Sequence, residues 1–210
     1  MRNLLLIPIV LLACVPLTRA HPETEEAPPP PREWLGTQWA IGFDIQYFSL
    51  DPEVTQPLGV GDDAWSVSLS GRAELGPVGF LRLAFGGLLL DDRDQFVEYV
   101  EVERYGRRDR FERESSEVTG YSLSAELGHD FILTPSLRFT PLVGYSHWSI
   151  DRQIPDCYDC RTEDIDLDGG PWVAPEITLR RWNTNFRFSY QHFLSGNVED
   201  GFRLMFEREF

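Results

Sequence analysis

The chain has 210 residues, with 34 acidic side chains against 19 basic ones and a formal net charge of −15. That balance argues against nucleic acid as a partner. It contains no lysine, so every fixed cation is an arginine, the side chain better suited to ion pairs withdrawn from water.

Residues 1–20, MRNLLLIPIVLLACVPLTRA, open on Arg2, run apolar from Leu4 to Ala13 and close on Thr18-Arg19-Ala20. This is the plan of a secretory signal peptide cut after Ala20. The stretch Leu11-Leu12-Ala13-Cys14 offers a rival plan in which Cys14 is acylated and becomes the new N-terminus. Residues 21–36 begin HPETEEAPPPPR, acidic and then proline-rich, and read as an extended tether that buries nothing. Residues 37–210 suit one domain. None of their segments approaches the ~18 consecutive apolar residues of a spanning helix, so any crossing of a membrane falls to strands.

The domain is dominated by period two. Trp39, Ile41, Phe43, Ile45 and Tyr47 alternate with Ala40, Gly42, Asp44 and Gln46. Trp65, Val67, Leu69, Ala73 and Leu75 alternate with Ser66, Ser68, Ser70, Arg72 and Glu74. After the turn Gly76-Pro77-Val78, Leu81, Leu83, Phe85 and Leu89 stand against Arg82, Ala84 and Gly86. The same split recurs in GYSLSAELGHDF, in LRFTPLVGYSHW after Thr134-Pro135-Ser136, in WVAPEITLR and in NFRFSYQHFL. Pro175 is expected to interrupt a ladder. With the closing FRLMFEREF the count is about eight strands. Short reversals near 76–78, 132–136 and 181–184 alternate with longer polar connections near 50–63, 91–118, 150–170 and, less clearly, 195–200. An up-and-down barrel of the bacterial outer membrane has this asymmetry.

The last nine residues place Phe202, Leu204, Phe206 and Phe210 on one face. This ending resembles the C-terminal signal of outer-membrane β-barrel proteins, with Arg208 where that family usually carries an apolar residue. The resemblance implies an eight-stranded antiparallel up-and-down transmembrane barrel of the OmpA/OmpX-type plan. It also implies insertion by the barrel assembly machinery, periplasmic termini, and outer-membrane lipid and lipopolysaccharide as surroundings. A soluble lipocalin-like carrier also has eight alternating strands, but with its apolar face inward around a ligand. The polar faces here carry Arg72, Arg82, Arg138, Arg180, Arg187 and Arg203 with Asp44, Glu74, Glu126, Glu176 and Glu207, interleaved with small residues. Those are the contents of a narrow, ion-paired, plugged lumen. Aromatics sort into two expected belts, Trp39, Phe131, Phe139, Trp182, Phe186 and Phe210 at the short-turn end and Tyr47, Trp65, Tyr121, Tyr145, Trp148 and Trp172 at the loop end.

Four segments could carry chemistry. Cys157 and Cys160 are expected to form a disulfide in an exported protein; a helix that would make them a thioredoxin-like pair is not evident, and a second ligand pair for zinc is missing. Asp164, Asp166, Asp168 and Gly169 match the start of a calcium loop, although position twelve is Pro175 instead of glutamate. Arg107, Arg108, Arg110 and Arg113 sit on a hairpin about Gly106, able to meet lipopolysaccharide phosphates but interleaved with Glu101, Glu103, Asp109, Glu112 and Glu114. Last, YQHFLSGNVED is similar in place to the catalytic segment of lipid A 3-O-deacylase barrels. That similarity implies Ser195 as nucleophile, His192 as base and Glu199 or Asp200 as orienter. The expected function is a structural or surface-interaction protein, with a lipid A-modifying hydrolase as the alternative.

Overall fold

The computed structural model describes residues 39–104, 107–154, 161–181 and 184–210, residues 98–113 by their backbone alone. The expected signal peptide and tether, Cys157, Cys160 and Trp182 lie outside the described residues. The described residues are all-β apart from one helical turn and a 3-10 turn: β1 (Trp39–Leu50), α1 (Pro52–Thr55), β2 (Val60–Glu74), β3 (Phe80–Asp92), β4 (Val97–Arg104), β5 (Arg107–Ser115), β6 (Glu117–Gly128), β7 (Phe131–Thr134), β8 (Leu137–Gln153), β9 (Thr162–Ile165), β10 (Gly170–Arg181), β11 (Thr184–Phe193) and β12 (Val198–Glu209).

Strands β1, β2, β3, β6, β8, β10, β11 and β12 pair antiparallel in that order, and β12 returns to β1 through Phe43↔Phe206 and Ile45↔Leu204. Every strand thus has two neighbours, and the sheet closes into an eight-stranded antiparallel transmembrane barrel. The Phe210 N–H donates to the Trp39 carbonyl at 2.9 Å, so both barrel termini lie at the short-turn end, beside the Gly76–Val78 turn.

The faces have the sign that a membrane requires. Ile41, Leu69, Phe85 and Phe202 are about 60% exposed, whereas Asp44, Arg82, Glu176 and Arg187 are wholly buried. Period two puts successive side chains on opposite sides of the sheet, so the apolar set faces out and the charged set faces in. This overturns the soluble-carrier reading, which needs apolar side chains inside.

Two prolines shape the ladders. β6 and β7 share one register on β8, Gly128↔Leu142 and Phe131↔Phe139, and are parted only at residues 129–130. Pro141 stands opposite that gap and has no N–H to give. In the same way the β10–β11 ladder skips from Val173↔His192 to Glu176↔Ser189 around Pro175.

At the loop end the inward face changes character, which the strand pattern did not reveal. Phe48, Leu50, Val60, Leu88, Val118, Trp148, Ile150, Ile165, Trp172, Phe193 and Val198 form a buried apolar cluster there. Trp148 and Trp172 therefore belong to the interior and not to the outer belt. Tyr145 and Val173 face out, so parity turns the residues three and one positions away inward. The Trp172 indole lies on Gly144, where a β-carbon would overlap it, and its Nε1–H donates to Ser146 Oγ at 3.0 Å. The long connection after β3 forms a separate hairpin, β4 with β5, while β9 doubles back onto β8 through Ile150↔Ile165.

Replacing Gly144→Val should displace the indole and lower stability by about 1–3 kcal/mol. Urea unfolding of the refolded barrel in micelles, followed by tryptophan emission, measures that loss.

Candidate functional site

The middle of the lumen is occupied by three arginines and three glutamates from five strands. Arg82 on β3 donates to Glu126 at 3.0 Å and to both oxygens of Glu176 at 3.3 Å. Arg203 on β12 forks onto Glu126 with two bonds of 2.9 Å and reaches Glu176 at 3.2 Å. Arg187 on β11 reaches Glu176 at 2.8 Å and Glu207 at 2.7 Å. All six side chains are 0–1% exposed. Each carboxylate touches at least two guanidinium groups, and that multiple pairing offsets a desolvation penalty that a single pair would struggle to recover.

Toward the short turns a second layer gathers on Asp130. Its carboxylate accepts from Arg72 at 3.0 Å, Arg138 at 3.2 Å and Thr140 at 2.6 Å. Phe80 lies beneath, with the Arg72 guanidinium 3.8 Å from its ring centre. Sequence reasoning named neither residue. Asp130 was within reach, because it continues the parity of Glu126 and Gly128 across the Pro141 gap.

Above the apolar cluster, Arg152 ties three connections together. Its Nε donates to Asp92 at 3.0 Å, its Nη1 to Glu163 at 3.3 Å, and its Nη2 to the carbonyls of Leu58 and Gly59 at 2.8 and 3.0 Å. Asp92 also accepts from Ser116 Oγ at 2.7 Å. Arg152 and Asp92 are nearly inaccessible, at 3% and 2%. The mouth is thus capped by an apolar layer under a polar clasp.

The predicted sites fare differently. His192 and Asp200 face each other across β11 and β12, with Nδ1 and Oδ1 2.9 Å apart and the imidazole exposed on the outer face. Asp200, not Glu199, is the residue in register with the imidazole. Ser195 follows in the turn, and among the described residues no hydrogen bond joins it to His192. Asp164 lies on β9 opposite Asp151, and Asp166 and Asp168 continue along the same edge beside His147. Only Thr162–Ile165 pairs as a strand, and the chain then turns, the Leu167 N–H donating to the Ile165 carbonyl at 2.9 Å. Among the described residues no group of three or more His, Cys, Asp or Glu converges as a metal site. Burial and the hydrogen bond from its neighbour Asp164 raise the Asp151 carboxyl above the usual range. The side chains of residues 98–113, the four loop arginines among them, lie outside the described residues.

No family model matches the sequence, and no curated protein matches it. Among solved structures the fold is similar to Ail, the attachment invasion locus protein of Yersinia pestis, in complex with the heparin analogue sucrose octasulfate. The identity is 13%, covering 82% of this chain and 96% of that one at a TM-score of 0.46. Neisserial surface protein A is similar at 14% identity, 82% and 94% coverage and a TM-score of 0.42.

Two predictions follow from these contacts. Glu176→Ala strips a shared partner from Arg82, Arg187 and Arg203 and should cost about 3–5 kcal/mol of stability, whereas Glu163→Ala, at a half-exposed rim position, should cost under about 1 kcal/mol. Urea titration of both variants against the parent in micelles checks the contrast. Because Asp151 is more easily protonated folded than unfolded, protonation favours the β8–β9 pairing. That pairing should gain stability as the pH falls through the raised value and lose it as the pH rises. Hydrogen exchange of β9 amides, corrected for intrinsic rates, should show this gain, and Asp151→Asn should abolish it.

Proposed function

We propose that the chain is a bacterial outer-membrane protein with a plugged lumen, periplasmic termini and a structural or surface-interaction role, inserted by the barrel assembly machinery. The observation that carries this reading is the Arg82, Arg187, Arg203 and Glu126, Glu176, Glu207 network, which occupies the lumen without leaving any of its six side chains accessible. Passage of a solute would require separating buried charges, each costly to leave unpaired. The Arg152 clasp and the apolar cluster add a second obstruction at the loop end. What remains for function is the exterior: a hydrophobic belt for lipid, and a loop end bearing Asp63, Asp91, Asp94, Asp164, Asp166 and Asp168. Such a face suits cationic surfaces, or lipopolysaccharide bridged through divalent cations such as calcium.

A second reading, a lipid A-modifying hydrolase, draws on the His192–Asp200 pair on the outer face. It needs the turn to carry Ser195 to the imidazole: Ser195 attacks an acyl ester, His192 takes its proton and returns it to the departing sugar oxygen as the ester C–O bond breaks, and water then releases the fatty acid from the acyl-serine.

Planar-bilayer recordings of the purified protein should show no stable conductance steps, and reproducible open-channel steps in the parent protein would refute the plug. Lipid A mass spectra from cells overproducing the protein should match the spectra from cells making Ser195→Ala. Loss of an acyl group with the parent alone would establish the hydrolase in its place.

A further inference from the structure

The Pro175 gap in the β10–β11 ladder coincides with a groove on the outer face. Its bond parity is fixed by the Leu194 N–H, which donates to the Pro171 carbonyl at 2.8 Å. Stepping by twos in the shared register, Val173 with His192, Pro175 with Tyr190 and Ile177 with Phe188 are the pairs that should exchange two bonds each. Proline supplies no N–H. The Tyr190 carbonyl therefore has no ladder donor.

Over this position lies an apolar groove of about 610 Å³ whose lining includes Pro175, Phe188, Tyr190, Phe202, Leu204 and Trp65. Tyr190, Phe202, Tyr47 and Trp65 form one row across four strands in register, toward the loop end, where an aromatic girdle meets the boundary of the hydrocarbon. Just beyond it stands a polar rim, where the His192 imidazole and the Asp200 carboxylate meet at 2.9 Å. From the barrel middle outward the surface thus offers apolar walls, one backbone acceptor without a donor, and then charged and polar groups. A backbone acceptor walled by apolar side chains is costly to leave bare, and a donor seated in the groove removes that cost.

We infer that this groove seats the acyl chain of an outer-leaflet lipid that donates an amide N–H or hydroxyl, carried where headgroup meets chain, to the Tyr190 carbonyl. The order of surfaces along the groove matches the order of groups along such a lipid. A lipid with only ester linkages fills the walls but leaves the carbonyl bare, so the site discriminates by linkage and not by chain. The inference rests on the outer face meeting lipid and, for the leaflet, on the periplasmic termini of the proposed reading; it is independent of the plugged lumen and of any hydrolysis.

Sphingomyelin and phosphatidylcholine make a matched test, since both carry phosphocholine and only the first has the amide and hydroxyl donors. The refolded full chain, confirmed as a closed barrel by its heat-dependent gel mobility, is equilibrated with an equimolar mixture of the two in micelles. Native mass spectrometry then reads the lipids retained. The expected result is enrichment of sphingomyelin by about fivefold, the worth of one net hydrogen bond. Pro175→Ala restores the ladder donor and should bring the ratio to parity, whereas Pro141→Ala, which restores a donor opposite residue 129 instead, should leave it unchanged. Ile177→Trp fills the groove without altering the ladder and should reduce retention of both lipids, which keeps the test decisive if Pro175→Ala does not refold. Equal retention by the folded parent, enrichment that survives Pro175→Ala, or a lipid-free dimer with Ile177 at its contact would overturn the inference.

Discussion

Hydrocarbon offers the backbone no hydrogen-bond partner, and this one constraint governs the rest of the architecture. A strand in lipid must bond on both edges, so the sheet has to return on itself, and it does so through β12 and β1. Closure at eight strands leaves an interior only wide enough for side chains. Period two then forces a division of labour: what faces lipid is apolar, and what faces inward must fill that interior and satisfy itself.

The inward face meets the demand in layers. At the short-turn end Asp130 collects Arg72, Arg138 and Thr140. In the middle, three arginines and three glutamates interlock. At the loop end the interior turns apolar, and Phe48 and Trp148 pack edge to face with ring centres 5.0 Å apart. Charge is thus buried where opposite charges from neighbouring strands can meet, and is replaced by hydrocarbon where the connections fold over the mouth. Pro141, opposite the break between β6 and β7, and Pro175, in the β10–β11 ladder, mark two places where the ladder is locally interrupted.

Much of this was legible in the residues. Strict alternation over Trp39–Tyr47 and Trp65–Leu75, and charge confined to one face, gave the barrel, its strand number and the identity of its interior. Pro175 announced its ladder gap for a chemical reason that needs no context. What alternation does not encode is the change from polar to apolar along the inward face. Trp148 and Trp172 looked like belt residues because they stand near strand ends, and only their parity relative to Tyr145 and Val173 sends them inward. Arg152 was equally silent, since its partners come from residues 58–59, 92 and 163, far apart in sequence. The acidic run Asp164, Asp166, Asp168 was read as the start of a wrapped loop, but pairing with β8 holds its first part extended. His192 and Asp200 met because the β11–β12 register sets them opposite, a relation that spacing from His192 to Ser195 could not supply.

The most direct test of the account is where hydrocarbon touches the chain. A carbene generated from a photoactivatable acyl chain in vesicles, with labelled positions mapped by mass spectrometry, reports contact residue by residue on the native sequence. The account predicts labelling at Leu69, Phe85, Leu123 and Phe188 and none at Ser68, Arg82, Glu126 and Arg187. Labelling of the second set, or protection of the first, would mean that the faces are reversed and that the ion-paired lumen is not the interior of a membrane barrel.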